Sequence, residues 1–204
     1  IKFLKVILHM NKKYSISTFL LLCSIAISAQ QIKTIKTDIF TVVYSEIAQQ
    51  PLELTYIVAC PNGTFSRSGK SFWVPEGIST SDDKDYKDNV YDKGHLAPAA
   101  SFSCTKESLH QSFSYLNSVL QHQGLNRGQW SQLEAFERDA ANYFGVDVKV
   151  KVEVLFDDNT TTLPTGAMVP TSFRKTIDIN GTIRIYEFPN IDTKGTDWVD
   201  YRVK

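Results

Sequence analysis

The residues best suited to chemistry fall in two short stretches. In the first, Asp92-Lys93-Gly94-His95-Leu96-Ala97-Pro98, a histidine follows a glycine and is soon followed by a proline. Imidazole titrates near neutrality, so His95 is a natural base for activating water. Gly94 gives the backbone close access to a ligand, and Pro98 fixes the exit of the chain. The plainer reading is a histidine that closes a turn. In the second stretch, Asn126, Trp130, Glu134 and Arg138 recur at intervals of four and so run along one side of a helix. An amide near the helix start, followed by a carboxylate and a guanidinium, offers oxygen to a cation and positive charge to an anion. The helix start itself favours anions. The alternative is equally physical: Asn126 with Gln129 makes a capping-box pattern, and Glu134 with Arg138 an ion pair one turn apart. Residue types and spacing leave both readings open.

The elements that must position these residues are legible from periodicity. Ile39–Tyr44 and Leu52–Cys60 read as strands joined by a polar turn at Pro51. Residues 61–91 are rich in Gly, Ser, Asp and Lys, with Phe72 and Trp73 as isolated anchors, and read as a long surface loop of the kind that usually carries function. Thr105–Gln111 reads as a short helix capped by Thr105, and Phe113–Leu120 as a buried strand. The clearest helix is Arg127–Phe144, where Trp130, Leu133, Phe136, Ala140 and Tyr143 recur at helical spacing before Gly145. Valines alternate with charged residues from Val146 to Val154, the mark of a half-buried strand. Phe173–Ile179 and Ile183–Phe188 flank Asn180-Gly181, a strong hairpin signal. Strands and helices are segregated rather than alternating, so the fold class is α+β with a largely antiparallel sheet.

The length of 204 residues suits one domain plus a removable leader. From Met10 the chain has a basic start (Lys12, Lys13), an apolar run from Ile16 to Ile27, and small residues at Ser28-Ala29. That pattern is a secretory signal peptide over residues 1–29, with residues 1–9 upstream of a start at Met10. The apolar run is too short to span a bilayer, which needs about 20 residues. The expected localisation is therefore secreted or periplasmic, with no membrane span in the mature protein. The whole chain balances 22 basic against 22 acidic residues; without the leader's four lysines the remainder carries a net charge of −4. A nucleic-acid-binding protein usually has a positive balance, so any phosphate binding must come from a local patch. Cys60 and Cys104 remain after the leader, either as one disulfide or as two buried thiols.

The first stretch resembles the Asp-Arg-Gly-His-Leu-Ala-Pro signature of the DNA/RNA non-specific endonuclease family. Asn117, Gln121, Leu125-Asn126-Arg127-Gly128-Gln129-Trp130, Leu133-Glu134 and Arg138 resemble its second signature in the same order. Val169-Pro170-Thr171-Ser172-Phe173-Arg174-Lys175 is similar to a third, weaker one. The resemblance implies a ββα-metal site within one domain over residues 30–204, hydrolysing DNA and RNA phosphodiester bonds to 5′-phosphate products without sequence specificity. It implies His95 as general base and Asn126 as the only direct protein ligand of Mg²⁺, with Mn²⁺ as the alternative ion. Glu134 would hold metal-bound water and Arg138 would contact the phosphate. Asp92 and Lys93 would complete the catalytic set, with Lys93, Asn117 and Gln121 also meeting substrate. Lys93 stands where the family has arginine, which keeps the charge and loses the two-pronged fork. A further phosphate-contacting arginine expected near the end of the Leu52–Cys60 strand is missing, and Arg67 from the loop is its expected replacement. The chain stops at Tyr201-Arg202-Val203-Lys204, short of the helix and Gly-Phe-Phe-like ending the resemblance implies, so a shortened C-terminus is expected. The lysine, the missing arginine, the net charge and the ending also fit an alternative: a nuclease-like nucleic-acid-binding module with weak catalysis.

Overall fold

The computed structural model describes residues 31–203; the signal-peptide expectation lies outside them. The backbone of the molecule is a seven-stranded sheet in the order β1-β2-β3-β6-β9-β10-β11. Its strands are β1 (Ile32–Lys36), β2 (Phe40–Ser45), β3 (Gln50–Ile57), β6 (Val148–Leu155), β9 (Ser172–Ile179), β10 (Thr182–Pro189) and β11 (Arg202–Val203). The pairs from β2 through β11 are antiparallel. The sequence sets the faces: Val148, Val150, Val152 and Val154 are buried while Lys149, Lys151 and Glu153 point away, as the pleat demands. On the outer face Glu53 lies opposite Glu153, and Lys151 reaches both, at 2.9 and 3.5 Å. Arg174 and Glu187 are cross-strand partners and pair at 2.9 Å. The Asn180-Gly181 turn closes β9 onto β10 as expected, both residues having positive φ.

The inner face is covered by the helical segment. It begins earlier than the periodicity suggests, as α2 (Gln123–Leu125), a wide π-type turn at Asn126–Trp130, then α3 (Ser131–Phe144). Gly145 ends α3 with φ of 61°, a left-handed setting that a glycine adopts without steric cost. Leu133, Ala140 and Ala141 of α3 and Trp130 join Val150, Val152, Phe173, Ile177 and Phe188 in one core. Tyr143, expected on the apolar stripe, is instead 83% exposed, its ring edge-on to that of Phe144 at 4.9 Å.

A second, two-stranded ribbon carries the first signature: β4 (Tyr91–His95) antiparallel to β5 (Ser118–His122), with Asp92 opposite Gln121 and His95 opposite Ser118. The expected strand Phe113–Leu120 is displaced. Phe113 follows α1 (Lys106–Ser112), whose first turn is capped by Thr105 as anticipated. Residues Tyr115–Asn117 form a 3-10 turn capped by the Ser114 hydroxyl, so pairing begins only at Ser118. Two buried amides fix the ribbon to the main sheet. Gln50 accepts from Leu120 N at 3.0 Å, while Asn190 accepts from His122 N and donates to Leu120 O. A short pair, β7 (Thr161–Thr162) and β8 (Met168–Val169), completes the strands. Cys60 and Cys104 are joined as a disulfide, which decides between the two states left open above. Among the described residues no helix is long and apolar enough to cross a membrane.

Candidate active site

The ribbon β4–β5 and the α2–α3 segment together form a ββα unit, and the two signature stretches meet in one groove of about 500 Å³. Arg67, Asp92, Lys93, His95, Asn126, Glu134 and Arg138 all line it. Asn117 and Gln121 do not: both are wholly buried, and their position corrects the expectation that they meet substrate. Asn117 braces the chain leaving His95, accepting from Ala97 N at 2.7 Å and donating to the carbonyls of Ala97 and Ser112 at 2.8 Å. Gln121 lies across Gly94, where an added Cβ would come within 2.4 Å of its amide oxygen. Glycine at 94 is therefore a packing requirement.

His95 ends β4 with its ring between Phe72 and Phe113, at centroid distances of 4.8 and 5.0 Å. Burial and the neighbouring Arg67 charge push its imidazole down to about 3, so the ring is neutral at pH 7. Its Nε2 is buried with no hydrogen-bond partner among the described residues. The neutral ring has a free nitrogen that can accept a proton in the groove, but its basicity lies well below the near-neutral value expected from the sequence.

Asn126 sits inside the wide turn, and its role as a helix cap is not borne out. The segment starts at Gln123, capped by His122, whose Nδ1 accepts from Gly124 N at 3.0 Å. Gln129, the other half of the supposed capping box, donates to Thr196 O. The Asn126 side chain instead donates through Nδ2 to Asp92 Oδ2 at 2.8 Å, an arrangement that leaves its carbonyl oxygen available. Asp92 also takes two bonds from Arg127, at 2.8 and 2.6 Å. Burial pulls the Asp92 carboxyl up, but the bonds from Arg127 and Asn126 outweigh it and hold it below the ordinary carboxylate range. Asp92 is thus an ionised anchor that orients the Asn126 amide.

Glu134 faces the same groove one helical stretch away. Burial pushes its carboxyl up to about 7, against the opposing charge of Lys175. The expected Glu134–Arg138 ion pair is not among those formed by the described residues. Arg138 Nη1 is buried without a partner there and faces the groove. Lys93 is held by the Asp83 carboxylate and lies 5.7 Å from the ring centres of Phe72 and Tyr115.

Lys70, Phe72 and Arg127 also line the groove and were not expected there. Lys70 and Phe72 arrive on the irregular loop, where no periodicity marks a facing side; Arg127 follows Asn126 directly and was read only as part of the signature. The local cationic patch that the net charge requires is present: Arg67, Lys70, Lys93, Arg127 and Arg138 outnumber Asp92 and Glu134 around the groove. No cluster of three or more His, Cys, Asp or Glu side chains converges as a metal cage among the described residues. The donor set is one oriented amide oxygen beside an ionised and a titrating carboxylate. It fits a hard, largely hydrated cation such as magnesium better than an ion needing several nitrogen or sulfur ligands.

A groove that joins a neutral histidine, an oriented amide oxygen and a ring of cations on a ββα unit defines the class, and the comparisons agree. Residues 26–204 match the model of the DNA/RNA non-specific endonuclease family, and the chain belongs to that family. It is 32% identical over 139 residues to nuclease C1 of Cunninghamella echinulata var. echinulata, covering 59% of this chain and 54% of that protein. It is 40% identical over 74 residues to a nuclease of Syncephalastrum racemosum, 36% of this chain and 23% of that one. The chain thus spans about half or less of these relatives' lengths. Its fold matches a chain in the crystal structure of the EndoG/EndoGI complex, which concerns EndoG inhibition, with a TM-score of 0.70. That match is at 22% identity and covers 84% of this chain and 80% of that one.

Proposed function

We propose that the chain is an exported, magnesium-dependent endonuclease that hydrolyses DNA and RNA phosphodiester bonds without sequence preference. The observation that carries this reading is the convergence of His95, Asn126 and Arg138 in one cationic groove. The free Nε2 of His95 takes the proton of a water that attacks phosphorus, and the bond to the 3′ oxygen breaks. The Arg138 guanidinium meets the phosphate oxygens on which charge accumulates. The Asn126 oxygen, turned into place by Asp92, would hold the cation, and the Glu134 carboxylate would hydrogen-bond water around it. A bound magnesium ion supplies Lewis-acid stabilisation of the phosphate and of the departing oxygen. Arg67 and Lys70 contact neighbouring phosphates along the strand, and no side chain is required to read a base. Export rests on the leader read from the sequence.

Plasmid and ribosomal RNA cleavage, with Mg²⁺, with Mn²⁺ and with chelator, tests the reading. Cleavage of both polymers that stops with chelator is expected, and His95→Ala should lose about 10²-fold or more in rate while keeping the fold. A folded parent that binds nucleic acid yet cleaves neither polymer under any metal would leave the binding-module alternative. Mass spectrometry of the mature protein should place its N-terminus near Ala29 or Gln30; an intact Met10 terminus in the cytosolic fraction would refute export.

A further inference from the structure

The core beneath the groove holds a charged pair that the reaction does not use. Lys175 of β9 and Glu137 of α3 are both fully buried and pair at 2.8 Å. The second Glu137 oxygen accepts from the hydroxyl of Tyr56 on β3. Both oxygens are therefore committed, one to each of two strands, and α3 is fixed at one rotation and one height above the sheet. Glu134 lies one turn before Glu137, and Arg138 is the next residue. The clamp thus sets how both project into the groove.

The same ammonium sits 4.0 Å from the ring centre of Trp130, which is also fully buried. Trp130 Nε1 donates to the carbonyl of His95 at 3.3 Å. One cation from the sheet therefore touches both the helix that carries Glu134 and Arg138 and the residue that holds the end of β4. A buried ion pair seldom adds net stability over well-packed apolar side chains of similar size. What it adds here is direction, because hydrogen bonds and a cation–π contact fix geometry where apolar contacts would allow sliding.

We infer that Lys175 is a positioning residue of the active site: through Glu137 and Trp130 it holds the helix and the His95 strand in mutual register. The inference rests on the nuclease reading for its kinetic arm only. Three variants of the full chain test it. Lys175→Arg keeps the charge on a longer, forked head. Lys175→Met with Glu137→Gln removes both charges and leaves Tyr56 an acceptor and Trp130 an apolar neighbour. Trp130→Phe keeps the ring and deletes the bond to His95.

For each, kcat and KM on a short duplex with Mg²⁺, the melting temperature, and the ring ¹⁵N resonances of His95 (assigned by their loss in His95→Gln) are measured. A misplacement of the reacting groups by about 1 Å costs on the order of 10²-fold, so kcat should fall by roughly 10- to 100-fold. KM should hold, and the His95 resonances should move in variants that melt near the parent. A folded variant with parental kcat and parental His95 resonances overturns the inference and leaves the pair a fold element only. If the Lys175 variants fail to fold, Trp130→Phe decides by the same two readouts. An inactive parent would refute the nuclease reading instead, and the His95 resonances would still decide the coupling.

Discussion

Replacing Asn126 by aspartate separates the two roles that sequence left open for this residue. Were Asn126 a cap, aspartate would serve as well, and a negative charge at a helix start would add about 0.3–1 kcal/mol. In the structure its amide nitrogen donates to Asp92 at 2.8 Å, so the substitution sets a second carboxylate against the first. The lost charge-assisted hydrogen bond costs about 1.5–3 kcal/mol. Two charges about 4 Å apart repel by roughly 4 kcal/mol at an effective dielectric of 20. Arg127, already doubly bonded to Asp92, offsets part of this, leaving a net loss of about 2–4 kcal/mol at neutral pH. For a domain of this size that lowers the melting temperature by roughly 5–15 °C.

The effect has a sign in pH. One carboxyl of the new pair has its folded pKa raised above its unfolded value, so its contribution is intact at low pH and is lost as pH rises through the folded value. The deficit should therefore shrink from pH 8 to pH 4, and a divalent cation bound between the carboxylates should also reduce it. Melting curves of parent and Asn126→Asp in chelator at both pH values, repeated with Mg²⁺, measure this. A variant that melts at or above the parent at pH 8 in chelator would refute the Asp92 anchor and restore the cap.

Two further outcomes follow from the site and the loop. Glu134, raised to about 7 by burial, should give kcat an acid limb near neutrality, since His95 is pushed down to about 3 and stays a base throughout. Glu134→Gln should abolish that limb, and it should melt higher than the parent above pH 7, where an ionised buried carboxylate costs on the order of 2 kcal/mol; an unchanged acid limb would exclude Glu134 as its source. Replacing Cys60 and Cys104 by serine opens a link spanning 44 positions, worth about 4 kcal/mol. Because that link anchors the loop bearing Arg67 and Lys70, KM for a duplex should rise more than kcat falls, and a parental KM in the folded variant would disconnect the loop from binding.

Period-2 and helical patterns recovered the hairpin at Asn180-Gly181, the Val148–Leu155 strand and most of α3, because burial on one face writes itself into the order of residues. The strand Tyr91–His95 escaped, although it carries the histidine proposed as general base. Its residues Tyr-Asp-Lys-Gly-His have no apolar alternation, since Gly94 is there to admit Gln121 and Asp92 and Lys93 face a groove. Functional demands erased the local signal, and only the motif pointed to the place. Asn117 and Gln121 failed in the opposite direction: polar residues inside a signature look like ligands of substrate, yet both are buried, Asn117 bonded to backbone and Gln121 packed over Gly94. The buried pair was within reach of pattern alone. Phe173, Lys175, Ile177 and Ile179 alternate on one face of β9, and all four are buried. Glu137 likewise falls between Leu133 and Ala140 on the core side of α3. A charge on each of two facing apolar stripes points to their pairing, which the structure bears out at 2.8 Å.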